Sequence, residues 1–317
     1  MLYLLDRYRA QPRDAALHVE GDTGVTRRAV VTGGCAAVAC ILGLKPGEAH
    51  IGHADRIVSV GGSLTEIAFA LGAGDRIVGV DTTSTWPPET AGIEKVGYMR
   101  RLSAEGVLSL NPDLVLLAAG AGPPTAIAQL RSAGVRLGIA PKVKGLPSVV
   151  PKIRFVGTAL DRTAEAGALV ARFEGNMAAV EKSLAPIEAR PRVLLLMSVG
   201  RGAPLAAGMN TAAAAMIDLA HGRNAMAQLT GYKPVSAEAV IGAAPDVLLL
   251  PRHVAEAAGG PERVLDRPDL AQTPAGRDGR VVVMDSLKLL GFGPRTPEAV
   301  AELARALHPA HASKIVL

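Results

Sequence analysis

The sequence predicts an α/β fold: two doubly wound lobes joined by one long helix, with a cleft between them. Three observations lead there. Strand-like apolar runs alternate with helix-like stretches, the pattern of parallel sheets covered on both faces. One unit is written twice, SAEGVLSLNPDLVLL at 103–117 and SAEAVIGAAPDVLLL at 236–250, with eight of fifteen positions identical at an offset of 133. Between the copies, a stretch without strand signal carries apolar residues at 170, 173, 177, 180, 184 and 187, the spacing of one helical stripe.

The elements follow in chain order. RIVSV (56–60) reads as a strand, and GGSLTEIAFALGAG as a glycine turn, a helix and a glycine stop. RIVGVD (76–81) is the next strand. LSAEGVLSLN is a short helix, PDLVLLAA a buried strand, PPTAIAQLRSAG a helix and VRLGIAP a strand. From Pro147 the texture is helical, with a break at Leu160-Asp161 before the long helix. RVLLLMSVG resumes the strands, and MNTAAAAMIDLAHG is a helix ended by glycine. SAEAVIGAAP and DVLLLP repeat the helix-to-strand unit. RVVVMDS is the last strand, and PRTPEAVAELARALH a closing helix that tolerates Pro294 and Pro297 at its start. The expected divisions are an N-terminal lobe at 55–146, a connecting helical segment at 147–187 and a C-terminal lobe at 188–317.

Residues 1–54 differ in character. Arg27-Arg28 precede the uncharged apolar run 29–44, and small residues Gly52 and Ala54 follow. That is the layout of an export signal; the alternative is a hydrophobic helix of the folded domain. Both cysteines, Cys35 and Cys40, fall within this segment, so the exported chain would have none. Ala37-Val38-Ala39-Cys40 offers a second possibility, a lipid anchor at Cys40. Net charge is +5 without a dense Lys/Arg block, which argues against nucleic acid as a partner.

Three glutamates stand near helix starts. Glu66 follows Ser63 by three residues, the spacing of a capping box. Glu105 and Glu238 follow Ser103 and Ser236 by two, so neither completes that box in the same register. The helix dipole alone accounts for only about 0.3–1 kcal/mol at such a place. One outward carboxylate per lobe gives a pair of docking points for arginines on a partner with two halves; the plain alternative is two dipole-complementing residues.

The stretches RIVSVGGSLTEIAFALGAGDRIVGVD, VGYMRRLSAEGVLSLNPDLVLL, AGMNTAAAAMIDLAHGRNA, GYKPVSAEAVIGAAPDVLLLPR and LLGFGPRTPEAVAEL together resemble the periplasmic substrate-binding proteins of ABC importers for haem, cobalamin and ferric siderophores. The resemblance spans about 55–310. It implies a monomeric, non-enzymatic, periplasmic carrier whose Glu105 and Glu238 dock on the permease dimer served by its ATPase. The loop VGYMRRLSAEG is similar to that of the haem-binding subgroup, which implies haem as the transported ligand and Tyr98 as its axial ligand. Ferric iron suits a phenolate oxygen, and Arg100, two residues on, is expected to donate to it.

The same resemblance directs attention to other loops. Gly62 and Ser63, at the turn opening the first helix, offer amides for a propionate. Met209, Asn210, Tyr232, Arg252 and Arg295 are the C-terminal-lobe candidates for haem contact, with His253 beside Arg252 and Phe292 as a further packing residue. Arg252 and His253 follow a strand's carboxyl end, where open α/β sheets bind ligands. No histidine lies between His53 and His221, so one tyrosine-bound haem is the simplest stoichiometry. The same carrier class with cobalamin or a ferric siderophore is the nearest alternative. An α/β-fold enzyme is the other; 55–317 contain no cysteine and no G-x-S-x-G.

Overall fold

The computed structural model describes residues 54–317 apart from residue 201. Except for Ala54, the expected export signal, with Cys35 and Cys40, lies outside the described residues. Among the described residues no helix is long and apolar enough to cross a membrane.

The first part of the chain forms β1 (Ile57–Val60), β2 (Ile77–Val80), β3 (Glu94–Lys95), the short strands β4 (Gly97–Tyr98) and β5 (Arg101–Leu102), β6 (Leu114–Leu117) and β7 (Arg136–Ile139). Helices α1 (Gly62–Ala70), α2 (Ala104–Leu108) and α3 (Pro124–Ser132) alternate with them. Five strands make a parallel sheet ordered β3-β2-β1-β6-β7. Its central strands, IVSV and LVLL, are buried at every position. That is why they read as unbroken apolar runs instead of alternating ones. At the turn from β1 into α1, Gly61 has φ 116, and a Cβ there would lie 2.5 Å from that of Ala118. Only glycine fits.

Two helices follow, α4 (Val149–Ala159) and α5 (Thr163–Leu184). The break falls where it was expected, with Asp161 in the left-handed region at φ 58. In α5 the predicted stripe is buried at Val170, Phe173, Met177, Val180 and Leu184; Ile187, also buried, lies just past the helix end.

The second part holds β8 (Arg192–Ser198), β9 (Leu205–Ala207), α6 (Ala212–Leu219), β10 (Arg223–Asn224), β11 (Tyr232–Pro234), α7 (Ala237–Ala243) and β12 (Val247–Pro251). It continues through the short helices α8 (Arg252–Ala257), α9 (Pro261–Val264), α10 (Pro268–Ala271) and α11 (Pro274–Arg277). It ends with β13 (Val281–Met284), α12 (Ser286–Leu290) and α13 (Thr296–Leu307). Its sheet runs β11-β9-β8-β12-β13, with β10 also on β8. This sheet corrects the expectation of purely parallel strands: β9 and β11 are antiparallel additions at one edge. LAA and YKP are too short to show any alternation.

The repeated unit has one structural job, performed twice. Ser103 caps α2 by accepting from Gly106 N at 3.2 Å, and Ser236 caps α7 by accepting from Ala239 N at 3.2 Å. Each unit then turns through a left-handed residue, Asn111 (φ 46) or Ala244 (φ 42), into a Pro-Asp pair. Asp113 Oδ2 accepts from the Arg56 amide at 2.9 Å while its own amide donates to Arg56 O at 2.8 Å. Asp246 does the same with Arg192, at 2.7 and 2.8 Å. These reciprocal bonds lock β6 beside β1 and β12 beside β8. Serine, proline and aspartate in the repeat are thus explained by the fold. The glutamates are not.

Losing a hydrogen bond to a charged acceptor costs about 1.5–3 kcal/mol. Asp113→Ala and Asp246→Ala should each lower the unfolding free energy by that order, read in urea as a lower midpoint with little change in the slope of the transition.

Candidate functional site

The carboxyl ends of both sheets carry the predicted residues. Beyond β3, the strands β4 and β5 form a hairpin in which Tyr98 pairs with Arg101 and Met99-Arg100 make the turn. Gly97, at φ 95, lets the chain enter it. The hairpin is tied down by Thr82 N to Gly97 O (2.9 Å), Leu102 N to Gly122 O (2.9 Å) and Gly122 N to Met99 O (2.9 Å), with Leu102 buried as its anchor. Tyr98 stands on this rigid base with 40 % of its surface exposed. A large aromatic side chain held in solvent by a braced hairpin does not serve the core.

In the second part, β9 and β11 build a matching surface. Tyr232 pairs with Ala207, and Met209 bridges to Thr230. Gly208 lets these backbones meet, because a Cβ there would lie 2.4 Å from Leu229 O. Met209 and Tyr232 are 44 % and 38 % exposed, and Asn210 between them and α6 is left-handed at φ 62. Although Tyr232 is partly exposed, burial raises its phenol pKa. The Ala213 amide, the Thr211 hydroxyl and the Arg100 guanidinium pull it the other way, in decreasing order. The charge of Arg100, at the hairpin turn of the first lobe, thus acts on Tyr232, on β11 of the second.

In the ligand-free protein no hydrogen bond joins Arg100 to Tyr98 among the described residues, and its charge acts on Tyr232. Gly62 and Ser63 correct an expectation. The Gly61 amide is spent on Asp81 Oδ1 (2.9 Å) and that of Gly62 on Thr83 Oγ1 (3.0 Å), while Ser63 Oγ accepts from Lys152 Nζ (3.1 Å). The turn is buried and both glycine amides are engaged, so they form no open anion cradle. Phe292 is 2 % exposed and cannot offer its ring to a cleft ligand. Arg252 is exposed at the start of α8, immediately after β12, and His253 Nδ1 lies 2.7 Å from Ser286 Oγ at the start of α12.

Arg295 and Glu66 are linked to each other. Glu66 is not part of a capping box, since Gly61 caps α1 without any side-chain bond. It is 5 % exposed and takes hydrogen bonds from Arg295 N (3.1 Å) and Arg295 Nη2 (3.2 Å). The sequence reading also missed Lys152. Its ammonium donates to Ser63 Oγ, Gly291 O (3.0 Å) and Phe292 O (2.7 Å), joining α4 and α1 to the loop before α13. Nothing in the local sequence marks it, because its partners are 89, 139 and 140 residues away. A cavity of about 380 Å³ lies beside this junction; of the predicted ligand contacts only Arg295 lines it.

Glu105 and Glu238 are both exposed at the second residue of their capped helices. The Glu238 carboxyl is held below the usual range by its own backbone amide and by Ser236, so it is anionic at neutral pH.

With this geometry in view, comparison with known proteins is informative. A family model described as periplasmic binding protein matches residues 57–287. The chain belongs to the periplasmic binding protein family. Among solved structures, the periplasmic heme-binding protein RhuT from Roseiflexus sp. RS-1, in its apo form, is 46% identical with a TM-score of 0.78, over 81% of this chain and 99% of that one. The periplasmic heme-binding protein BhuT in complex with two hemes is 47% identical with a TM-score of 0.76, over 82% and 100%. The uncharacterized ABC transporter substrate-binding lipoprotein YvrC of Bacillus subtilis (strain 168) is 30% identical over 80% of each chain. A cobalamin-binding protein of Halobacterium salinarum is 29% identical over 80% of this chain and 69% of its own length. The two-lobed fold is that of periplasmic binding proteins.

Lys152 gives a pH prediction. Desolvation outweighs the raising effect of Glu66 and brings its pKa down to about 8. Between pH 8 and about 10.4 the unfolded chain holds this proton and the folded chain does not. Stability relative to a Lys152→Met variant should therefore rise with pH in that window, by up to about 1.4 kcal/mol per unit, and be flat below pH 7. Urea unfolding of both proteins from pH 7 to 10 measures it.

Proposed function

We propose that this protein is the periplasmic carrier of a haem ABC importer, binding haem in the cleft through the ionised phenol of Tyr98 and delivering it to an inner-membrane permease. The observation that carries the reading is Tyr98 itself, 40 % exposed on a braced hairpin beyond the carboxyl end of β3. The haem-binding proteins named above, 46–47% identical over more than four fifths of the chain, support the choice of ligand.

The residues divide the work by their chemistry. Tyr98 supplies the anionic oxygen that a ferric centre favours. Met209 and Tyr232 give the porphyrin an apolar and aromatic surface on the opposite lobe. Arg100, Arg252 and Asn210 supply donors for the propionates, guanidinium groups being suited to carboxylates. Arg295, engaged by Glu66, takes no direct part in this scheme. Glu105 and Glu238 are the docking carboxylates, one per lobe, and the ion pairs they form with the permease guide encounter and register. The ATPase of the importer powers release on the far side. Export of the chain, free or tethered at Cys40, puts it where such a carrier works. The cobalamin-binding relative favours cobalamin as the alternative ligand.

Ferric haem added to the purified protein should produce the visible spectrum of oxygen-ligated high-spin iron, and cobalamin should compete poorly. Tyr98→Ala should abolish that spectrum and weaken haem retention about 100-fold, the equivalent of one bond worth about 3 kcal/mol. A spectrum unchanged in Tyr98→Ala would exclude this ligand. Glu105→Lys with Glu238→Lys should stop haem uptake through the permease while haem affinity stays within about twofold; uptake that survives both changes would reduce the two glutamates to helix-start residues.

A further inference from the structure

The joint between the lobes holds more chemistry than a connecting helix requires. Glu66 comes from α1 of the first lobe and Arg295 from the N-cap of α13 in the second, 229 positions apart. Arg295 reaches Glu66 through its amide and Nη2; its Nε also lies 3.1 Å from Glu66 Oε1, off the N–H direction, so it adds charge attraction without a hydrogen bond. The guanidinium simultaneously lies over the Trp86 ring, 4.3 Å from its centroid. Trp86 is in the first lobe, on the loop after β2. One arginine of the second lobe is thus gripped from two sides by the first.

The fit is close. A Cβ on Gly293 would lie 3.1 Å from Glu66 Oε2, so the loop carrying Arg295 passes directly over the carboxylate. Lys152 fastens the same loop through two of its carbonyls. Glu298, on the next turn, has a buried Oε2 without a hydrogen-bond partner, and burial raises its carboxyl pKa. The cavity beside the group is walled by both lobes and by α5, through Phe69, Trp86, Leu169, Phe173 and Glu298. Beside this group Leu287 of the second lobe packs on Gly62 of the first, and Lys152 ties Ser63 to the 291–292 loop, but among the described residues the arginine alone adds an ion pair and a ring contact between the lobes.

We infer that Arg295, held by Glu66 and Trp86, is a clasp that fixes the spacing of the two lobes and so presets the width of the cleft before any ligand arrives. Arg295, Glu66 and Trp86 are positioning residues in this scheme. A buried ion pair with one partner removed leaves an uncompensated charge, and the joint then relaxes to rehydrate it. A preset cleft binds without the cost of ordering two lobes. The clasp acts on the protein without ligand, so it stands or falls separately from the identity of the ligand.

The test measures the spacing itself. In the full chain with Cys35→Ser and Cys40→Ser, spin labels at Gln129→Cys and Glu256→Cys, exposed positions on α3 and α8, report the distance between the lobes. The parent should give one narrow distribution without ligand. Glu66→Gln and Arg295→Lys, both folded by circular dichroism, should broaden it and shift its mean by about 2 Å or more, the scale of a true lobe rearrangement. Trp86 is the only tryptophan of the chain, so acrylamide quenching of its fluorescence should rise in Glu66→Gln as the guanidinium leaves the ring. Should the buried variants fail to fold, Trp86→Leu, a change at a 40 % exposed residue, tests the same claim by the same broadening. Distributions that coincide with the parent's in the folded variants would overturn the clasp and leave the spacing to α5 and the Lys152 bridge.

Discussion

A carboxylate accepting the amide at the head of the neighbouring strand fixes the register of each central strand pair. Asp113 does this for β1 and β6, and Asp246 for β8 and β12. A parallel pair has no hairpin to set its register, because its strands are joined by long crossovers. A local side-chain bond supplies what the connection cannot. Once register is fixed, so are the carboxyl ends of the strands and the loops that leave them. Arg252 and His253 open the helix that leaves β12 directly, and their positions inherit the precision of Asp246.

The same economy explains the internal repeat. Serine caps the helix, a left-handed residue turns the chain, proline stops the helix and aspartate pins the strand. Each repeated residue answers a local need of the fold except the glutamate, which is exposed in both copies. A carboxylate kept exposed at equivalent places in two lobes is suited to the partner proposed above, which meets both lobes at once. The long helix α5 between them carries a continuous buried stripe, and the half-buried Arg295 of the second lobe pairs with Glu66 of the first.

Much of this was legible in the chain. The buried strands IVSV, LVLL and VLLLP announce themselves as apolar runs, and the stripe at 170, 173, 177, 180 and 184 is buried as its spacing requires. Tyr98 is singled out by the resemblance of its loop, VGYMRRLSAEG, and not by composition or spacing. What escaped were properties set by distant partners. Glu66 has the spacing of a cap, but its carboxylate is claimed by a residue 229 positions away. Gly62 and Ser63 resemble an anion turn, yet Thr83 and Lys152 occupy their polar groups. Phe292 lies in a glycine-rich loop and is nonetheless buried. The edge strands LAA and YKP are stabilised by pairing with each other and with β8, a gain that no local pattern displays.

The proposed haem carriage rests on one bond between the Tyr98 phenol oxygen and iron. Resonance Raman spectra of the ferric haem complex, prepared with ring-deuterated tyrosine, observe that bond directly. The account predicts iron–phenolate bands that shift on labelling, persist in Tyr232→Phe and vanish in Tyr98→Phe. Bands that survive Tyr98→Phe, or that are insensitive to the label, would contradict it.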